Sequence, residues 1–167
     1  ADVYGVPRLG FVNKPDRTGA SFERCVAMME ERFGEHCVPA QLPIGLEGEH
    51  VGVVDLVGLK SYRWPDPDDP REIEEGPVPD EMADEVAEAR ETLFERIALV
   101  DEEFAMLYLE DSDAIDEATI HAAIRGATIA GELVPVLCGS ALRNKGIQPL
   151  LDAIISWLPS PQDVPEI

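Results

Sequence analysis

Cationic side chains are scarce in this chain of 167 residues: 13 Lys and Arg stand against 34 Asp and Glu, for a formal net charge of -21. Gripping a phosphate backbone over a broad surface needs clustered cations, so direct RNA or DNA binding is not expected, and an anionic membrane surface would repel the chain. Long apolar runs are missing too. None approaches the ~20 residues of a membrane-spanning helix. No signal peptide is evident, although the first residue is Ala1 rather than Met and the start is expected to be trimmed. Cysteine is limited to Cys25, Cys37 and Cys138, widely spaced and odd in number. That fits a reducing, cytoplasmic setting better than a disulfide framework or a zinc site. His36, His50 and His121 are scattered without metal-ligand spacing. No internal repeat or low-complexity tract interrupts the chain. What the chain does have is 45% apolar residues, enough for a real core in one domain with room for a smaller lobe.

The charge is concentrated. Between Asp66 and Glu117 there are 21 acidic and 3 basic residues, so this stretch carries -18 and the flanks together carry -3. The pattern is that of an ordinary domain interrupted by an acidic insert. A strand is expected over Val6–Val12, then a loop, then a helix from about Ala20 to Phe33 with Phe22, Val26, Met29 and Phe33 on one face. Val38–Ile44 and Val51–Val57 read as a hairpin, and Leu59–Trp64 as a third strand. The proline-rich stretch from Trp64 to Pro79 reads as an exposed loop, with Trp64 as a strand-end anchor. From about Asp80 to Val100 a helix carries an apolar stripe of Met82, Val86, Ala89, Leu93, Ile97 and Val100. Shorter helices follow over Glu102–Leu109 and, capped by Asp116, over Glu117–Ala130. The chain closes with a strand over Val134–Cys138, a loop, and a helix over Gly146–Leu158. That last helix has Ile147, Leu150, Leu151, Ile154, Ile155 and Leu158 as its expected inward face. Pro159, Pro161 and Pro165 make an extended exit.

Strand and helix, insert, then strand and helix imply an α/β fold: a partial parallel sheet with an inserted acidic α+β subdomain. The expected division is 1–37 with 131–158 for the sheet, 38–130 for the insert, and 159–167 for a linker. Parallel pairing would place the loops after Val12 and Cys138 at one sheet edge, where open α/β sheets bind ligands.

Those loops carry Asn13-Lys14-Pro15-Asp16 and Gly139-Ser140-Ala141. Asn-Lys-x-Asp after a buried strand is the guanine-reading motif of GTP-binding proteins, and Ser-Ala after the next parallel strand is its usual companion. Guanine offers two adjacent donors, N1–H and the N2 amine, which an ionised Asp16 can accept together. Adenine has an acceptor at N1 and no amine at position 2, so the carboxylate would be left unpaired against it. The Ala141 N–H can serve guanine O6, Asn13 can bridge N7 and neighbouring backbone, and the Lys14 stem can lie over the purine. The alternative is that Asp16 opens the loop or caps the next helix and Asn13 is a turn residue.

The segment Phe11-Val12-Asn13-Lys14-Pro15-Asp16-Arg17-Thr18-Gly19-Ala20 closely resembles the elongation factor G family of translational GTPases. So do Gln41-Leu42-Pro43-Ile44-Gly45, Gly52-Val53-Val54-Asp55-Leu56, Cys138-Gly139-Ser140-Ala141 with Asn144-Lys145-Gly146, and Leu158-Pro159-Ser160-Pro161. Pro15 departs from that family's usual Met. The resemblance implies a P-loop GTPase-type sheet, GTP or GDP as the nucleotide, and Asn13, Lys14, Asp16, Ser140, Ala141 and Leu142 as the contacting set. It also implies that the insert is the family's extra subdomain, lying beside the GTPase core and engaged by the ribosomal stalk protein, with the acidic helix from Asp80 as the candidate surface and the ribosome as the parent's larger partner. A solvated charged face with no partner is the competing reading of that helix.

No Gly-x-x-x-x-Gly-Lys-Ser/Thr phosphate loop and no Asp-x-x-Gly segment followed by His occurs in the sequence. Phosphate and magnesium binding and hydrolysis depend on such parts. The chain is therefore expected to be a fragment that does not hydrolyse GTP alone and binds guanine nucleotides weakly or not at all. The fragment is expected to expose apolar surface and to self-associate or partly rearrange near Val6–Val12 and Val134–Cys138. Two other readings stay open: a related protection, release or recycling GTPase, or a stand-alone acidic interaction module.

Overall fold

The computed structural model describes residues 5–13, 21–34, 36–45, 50–66, 69, 71–161 and 163. Two sheets organise them. The first is parallel, in the order β1 (Gly10–Asn13), β7 (Val134–Gly139), β2 (Cys37–Pro39). The second is antiparallel, in chain order β3 (Gln41–Ile44), β4 (Gly52–Asp55), β5 (Lys60–Arg63), β6 (Glu74–Pro77). Helix α1 (Phe22–Phe33) follows β1; α2 (Ala83–Ala98), α3 (Glu102–Asp111) and α4 (Glu117–Ala130) precede β7; α5 (Ile147–Trp157) ends the fold.

Local chemistry sets the helix ends. Ser21 Oγ accepts from the Arg24 N–H at 3.1 Å, Asp101 from Phe104 at 2.9 Å, and Asp116 from Thr119 at 2.7 Å, each satisfying an orphan donor of the first turn. Gly131 ends α4 in the left-handed region at φ 79°, as a helix-terminating glycine does.

Several boundaries differ from the sequence reading. The strand expected over Val6–Val12 begins at Gly10, because its pairing with β7 starts at Gly10↔Val136 and ends at Asn13↔Gly139. The segment read as one strand over Val38–Ile44 is two. Cys37–Pro39 pairs with β7, and at Ala40 the chain changes sheets: its N–H donates to Val136 O while its carbonyl accepts from Leu56 N–H. The loop expected over Trp64–Pro79 contains β6, whose Glu-Glu-Gly-Pro sequence has no strand signal. It pairs along β5, aided by a Lys60–Glu75 ion pair at 3.2 Å, and its charges and terminal proline suit an edge. The hairpin turn at 46–49 and the first expected helical residue, Ala20, lie outside the described residues.

One contiguous apolar cluster runs through both sheets, from Phe22 and Val26 through Val53, Val54, Leu93 and Ile97 to Ile120, Ile124 and Leu137. Trp64 is buried, as a strand-end anchor should be. Three expectations about facing fail. Phe33 and Val100 are exposed. Helix α5 buries Ala153 and Trp157; of the expected row Leu150 packs against the core and Ile147 and Leu158 are half-buried, but Leu151, Ile154 and Ile155 are exposed, Ile155 by 77%. The apolar residues of α5 flank a polar stripe of Gln148, Asp152 and Ser156, and α4 packs along one arc of it. The open apolar surface is likewise not at Val134–Cys138, which is buried as the central strand between β1 and β2.

Candidate nucleotide-binding edge

Parallel register brings the ends of β1 and β7 together, with Asn13 opposite Gly139. The loop after β7 leaves from that edge. The Ala141 N–H donates to Asn13 Oδ1 at 3.1 Å, a bond between residues 128 positions apart that ties the loop after β7 to the end of β1. Lys14 and Asp16 lie outside the described residues.

The second loop is tightly built. Ser140 and Lys145 exchange backbone hydrogen bonds at 2.9 and 3.0 Å, closing a short bridge around a turn over Ala141–Arg143. Two glycines permit that closure. A Cβ on Gly139 would collide with the Lys145 carbonyl, and one on Gly146, at φ 80°, would come within 2.6 Å of the Cys138 carbonyl. Asn144 holds the left-handed conformation at φ 52°. The result displays Ala141 and Leu142 to solvent while Ser140 is buried. Ser140 Oγ has no hydrogen-bond partner among the described residues. With the Ala141 N–H held by Asn13, a purine carbonyl arriving there would share or replace that bond.

Two residues of this region had no role in the sequence reading. Lys145 is buried, and its ammonium donates to His50 O at 2.9 Å, which anchors the loop to the strand-leading end of the inserted hairpin. Arg125 of α4 donates to Ser156 O and Leu158 O and pairs with Asp163 at 2.8 Å, fastening the end of α5. Neither anchor has a clear sequence signal, because each joins distant positions largely through backbone carbonyls. Cys138, beneath the loop, is buried, and burial pushes its thiol well above the ordinary range. It is a packing group rather than a nucleophile.

The sequence matches the family model described as the elongation factor Tu GTP binding domain over residues 1–160. The chain belongs to that family. It is 49% identical over 167 residues to a protein named elongation factor G from Fervidobacterium nodosum, covering all of this chain and 24% of the relative. It is 46% identical over 164 residues to one named elongation factor G 2 from Desulfotalea psychrophila, covering 98% of this chain and 24% of that relative. A crystal structure from Thermus thermophilus superposes with a TM-score of 0.83 at 31% identity, over 98% of this chain and 24% of that one. The chain thus spans about a quarter of the length of the curated relatives it matches. The family accounts for the mixed architecture of a parallel sheet joined to an antiparallel one. No helix among the described residues is long and apolar enough to cross a membrane.

Proposed function

We propose that this chain supplies the guanine-reading edge and an attached acidic docking lobe to a translational GTPase that drives ribosomal translocation in the cytoplasm, as elongation factor G does. The observation that carries the reading is the Asn13–Ala141 bond, which joins the end of β1, where the base-reading motif begins, to the loop after β7. Asp16 accepts the N1–H and N2 amine of guanine, Lys14 covers the ring, and Asn13 orients the second loop. Ser140, Ala141 and Leu142 form the far wall. GTP or GDP is the ligand. Magnesium and hydrolysis belong to a phosphate loop that is not among these 167 residues.

The ribosome is the larger partner, reached through the insert. Helix α2 buries Val86, Leu93, Phe94 and Ile97 and turns Asp84, Glu85, Glu88 and Glu91 outward, the surface assigned here to the ribosomal stalk protein. Membranes and direct RNA contacts have no part in this reading. Amide spectra recorded during titration with GDP, inosine diphosphate and ADP test it. GDP at millimolar concentration shifts the Asn13 and Ala141 amides, inosine diphosphate does so more weakly because it lacks the N2 amine, and ADP leaves them in place. Equal responses to all three would overturn the assignment.

A further inference from the structure

A cavity of about 450 Å³ opens between the antiparallel sheet and helices α4 and α5. It shares no residue with the two loops of the nucleotide edge, and its size is that of a small-molecule site. Its lining is one-sided in chemistry. Asp55, Glu75, Glu117 and Asp152 reach it from four different elements, and no Lys or Arg is among its described lining residues. Glu75 is paired with Lys60 at 3.2 Å.

His121 also lines the cavity but does not balance that charge. The Trp157 indole N–H donates to its Nδ1 at 2.9 Å. An indole nitrogen can only donate, so Nδ1 is the bare nitrogen, the ring is neutral, and the proton sits on Nε2, 3.7 Å from the Glu117 carboxylate. Asp55 lies deepest. Its oxygens accept from the Val57 and Gly58 N–H groups at 3.0 and 3.1 Å, and burial still raises its carboxyl above the ordinary range.

Gln41 supplies an independent observation. It sits directly opposite Asp55 in the β3–β4 register, lines the cavity, and is 3% exposed. Its Oε1 has no hydrogen-bond partner among the described residues. A buried acceptor without a donor is costly and rare in folded chains. Beside these acceptors Leu137, Ala153 and Trp157 form an apolar wall. No group of carboxylates, cysteines or histidines among the described residues is close enough to hold a metal ion.

We propose that this cavity binds a small organic cation of the amidinium or guanidinium class, its planar N–H groups shared between Asp55, Glu117 and Gln41 Oε1 and its body against Trp157. Such forks match carboxylates in a way that a solvated ammonium does not. The test is calorimetric titration of the intact chain with benzamidine and with its neutral isostere benzamide, followed by amide spectra. Benzamidine is expected to saturate with a dissociation constant of about a millimolar or tighter, and benzamide to bind about tenfold more weakly. The perturbed amides are expected at Gln41, Asp55 and Ala153. Glu117→Gln, at a largely exposed position, should weaken benzamidine about fivefold, with Asp152→Asn as a second variant if the first unfolds. Glu132→Gln, outside the cavity, should leave binding unchanged. Equal binding of the two probes, no saturation, or equal weakening by Glu132→Gln would each overturn the proposal, leaving a water-filled cleft or general attraction of cations to an acidic chain.

Discussion

Helix α4 buries Ile120, Ala123, Ile124 and Ala127, whereas α5, packed beside it, buries Ala153 and Trp157 and leaves Leu151, Ile154 and Ile155 to solvent. Both helices are rich in apolar residues. They differ in neighbours: α4 lies between α2, β7 and α5, while α5 meets partners along one arc. Apolar periodicity states which side chains a helix would bury, and the arrangement of other elements decides which of them it does. The apolar surface left open on α5 comprises Leu151, Ile154 and Ile155, and β1 is an outer strand of the parallel sheet. The insert shares its core with the parallel sheet, and it too leaves apolar side chains open, at Leu99, Met106 and Leu109.

The sharpest way to break this contrast is to truncate one side chain on each helix. Ile124→Ala should cost about 2 to 5 kcal/mol, because a fully buried side chain leaves a cavity. Urea unfolding followed by circular dichroism reads that loss. Next in size is Arg90→Met in the insert. The Arg90 guanidinium donates to the Leu56 and Val57 carbonyls and lies 4.7 Å from the centre of the Phe94 ring. Its removal strands two acceptors, and about 2 kcal/mol of stability should go with it.

A smaller effect concerns pH. Burial raises the Asp55 carboxyl above its ordinary value, against the pull of the Val57 and Gly58 N–H groups. The folded chain then holds that proton more tightly than the unfolded chain does. Its favourable contribution is complete below the ordinary aspartate range, near pH ~4, and is lost as pH rises through the raised folded value. Asp55→Asn should therefore gain stability relative to the parent as pH rises across that window. Parallel pH profiles of the melting temperature check the sign, and a widening deficit would contradict it. The smallest effect on stability belongs to Ile155→Asp, within about 0.5 kcal/mol because the side chain is already exposed. That substitution should nonetheless reduce self-association in light scattering at high concentration, because it breaks the uncovered apolar face. An unchanged scattering profile would place the sticky surface elsewhere.

How much of this was legible beforehand depended on how local each determinant is. Helix α4 was readable to the residue, since Asp116 and Gly131 punctuate it and Ile120 and Ile124 give its period. The parallel pairing of β1 and β7, and hence the shared edge, followed from strand and helix alternation. Strand β6 was not readable, because Glu74 and Glu75 carry no strand preference and pair through the geometry of β5. Nor was the change of sheet at Ala40, which depends on Val136 almost a hundred positions away. At the site, the motif residues were visible as a pattern. The Lys145 anchor on His50 was not, since a backbone carbonyl leaves no trace in residue type. The cavity next to Gln41 is likewise a product of packing.

The central claim is that the loops after β1 and β7 read guanine through Asp16. The most direct measurement exchanges the partners on both sides of that contact. Xanthine carries a carbonyl where guanine has its N2 amine, and asparagine offers one donor and one acceptor where aspartate offers two acceptors. Amide-detected titrations at millimolar nucleotide should show the parent chain preferring GDP to xanthosine diphosphate, and Asp16→Asn reversing that order. An order left unchanged by the substitution, or a parent chain indifferent to the base, would contradict the account.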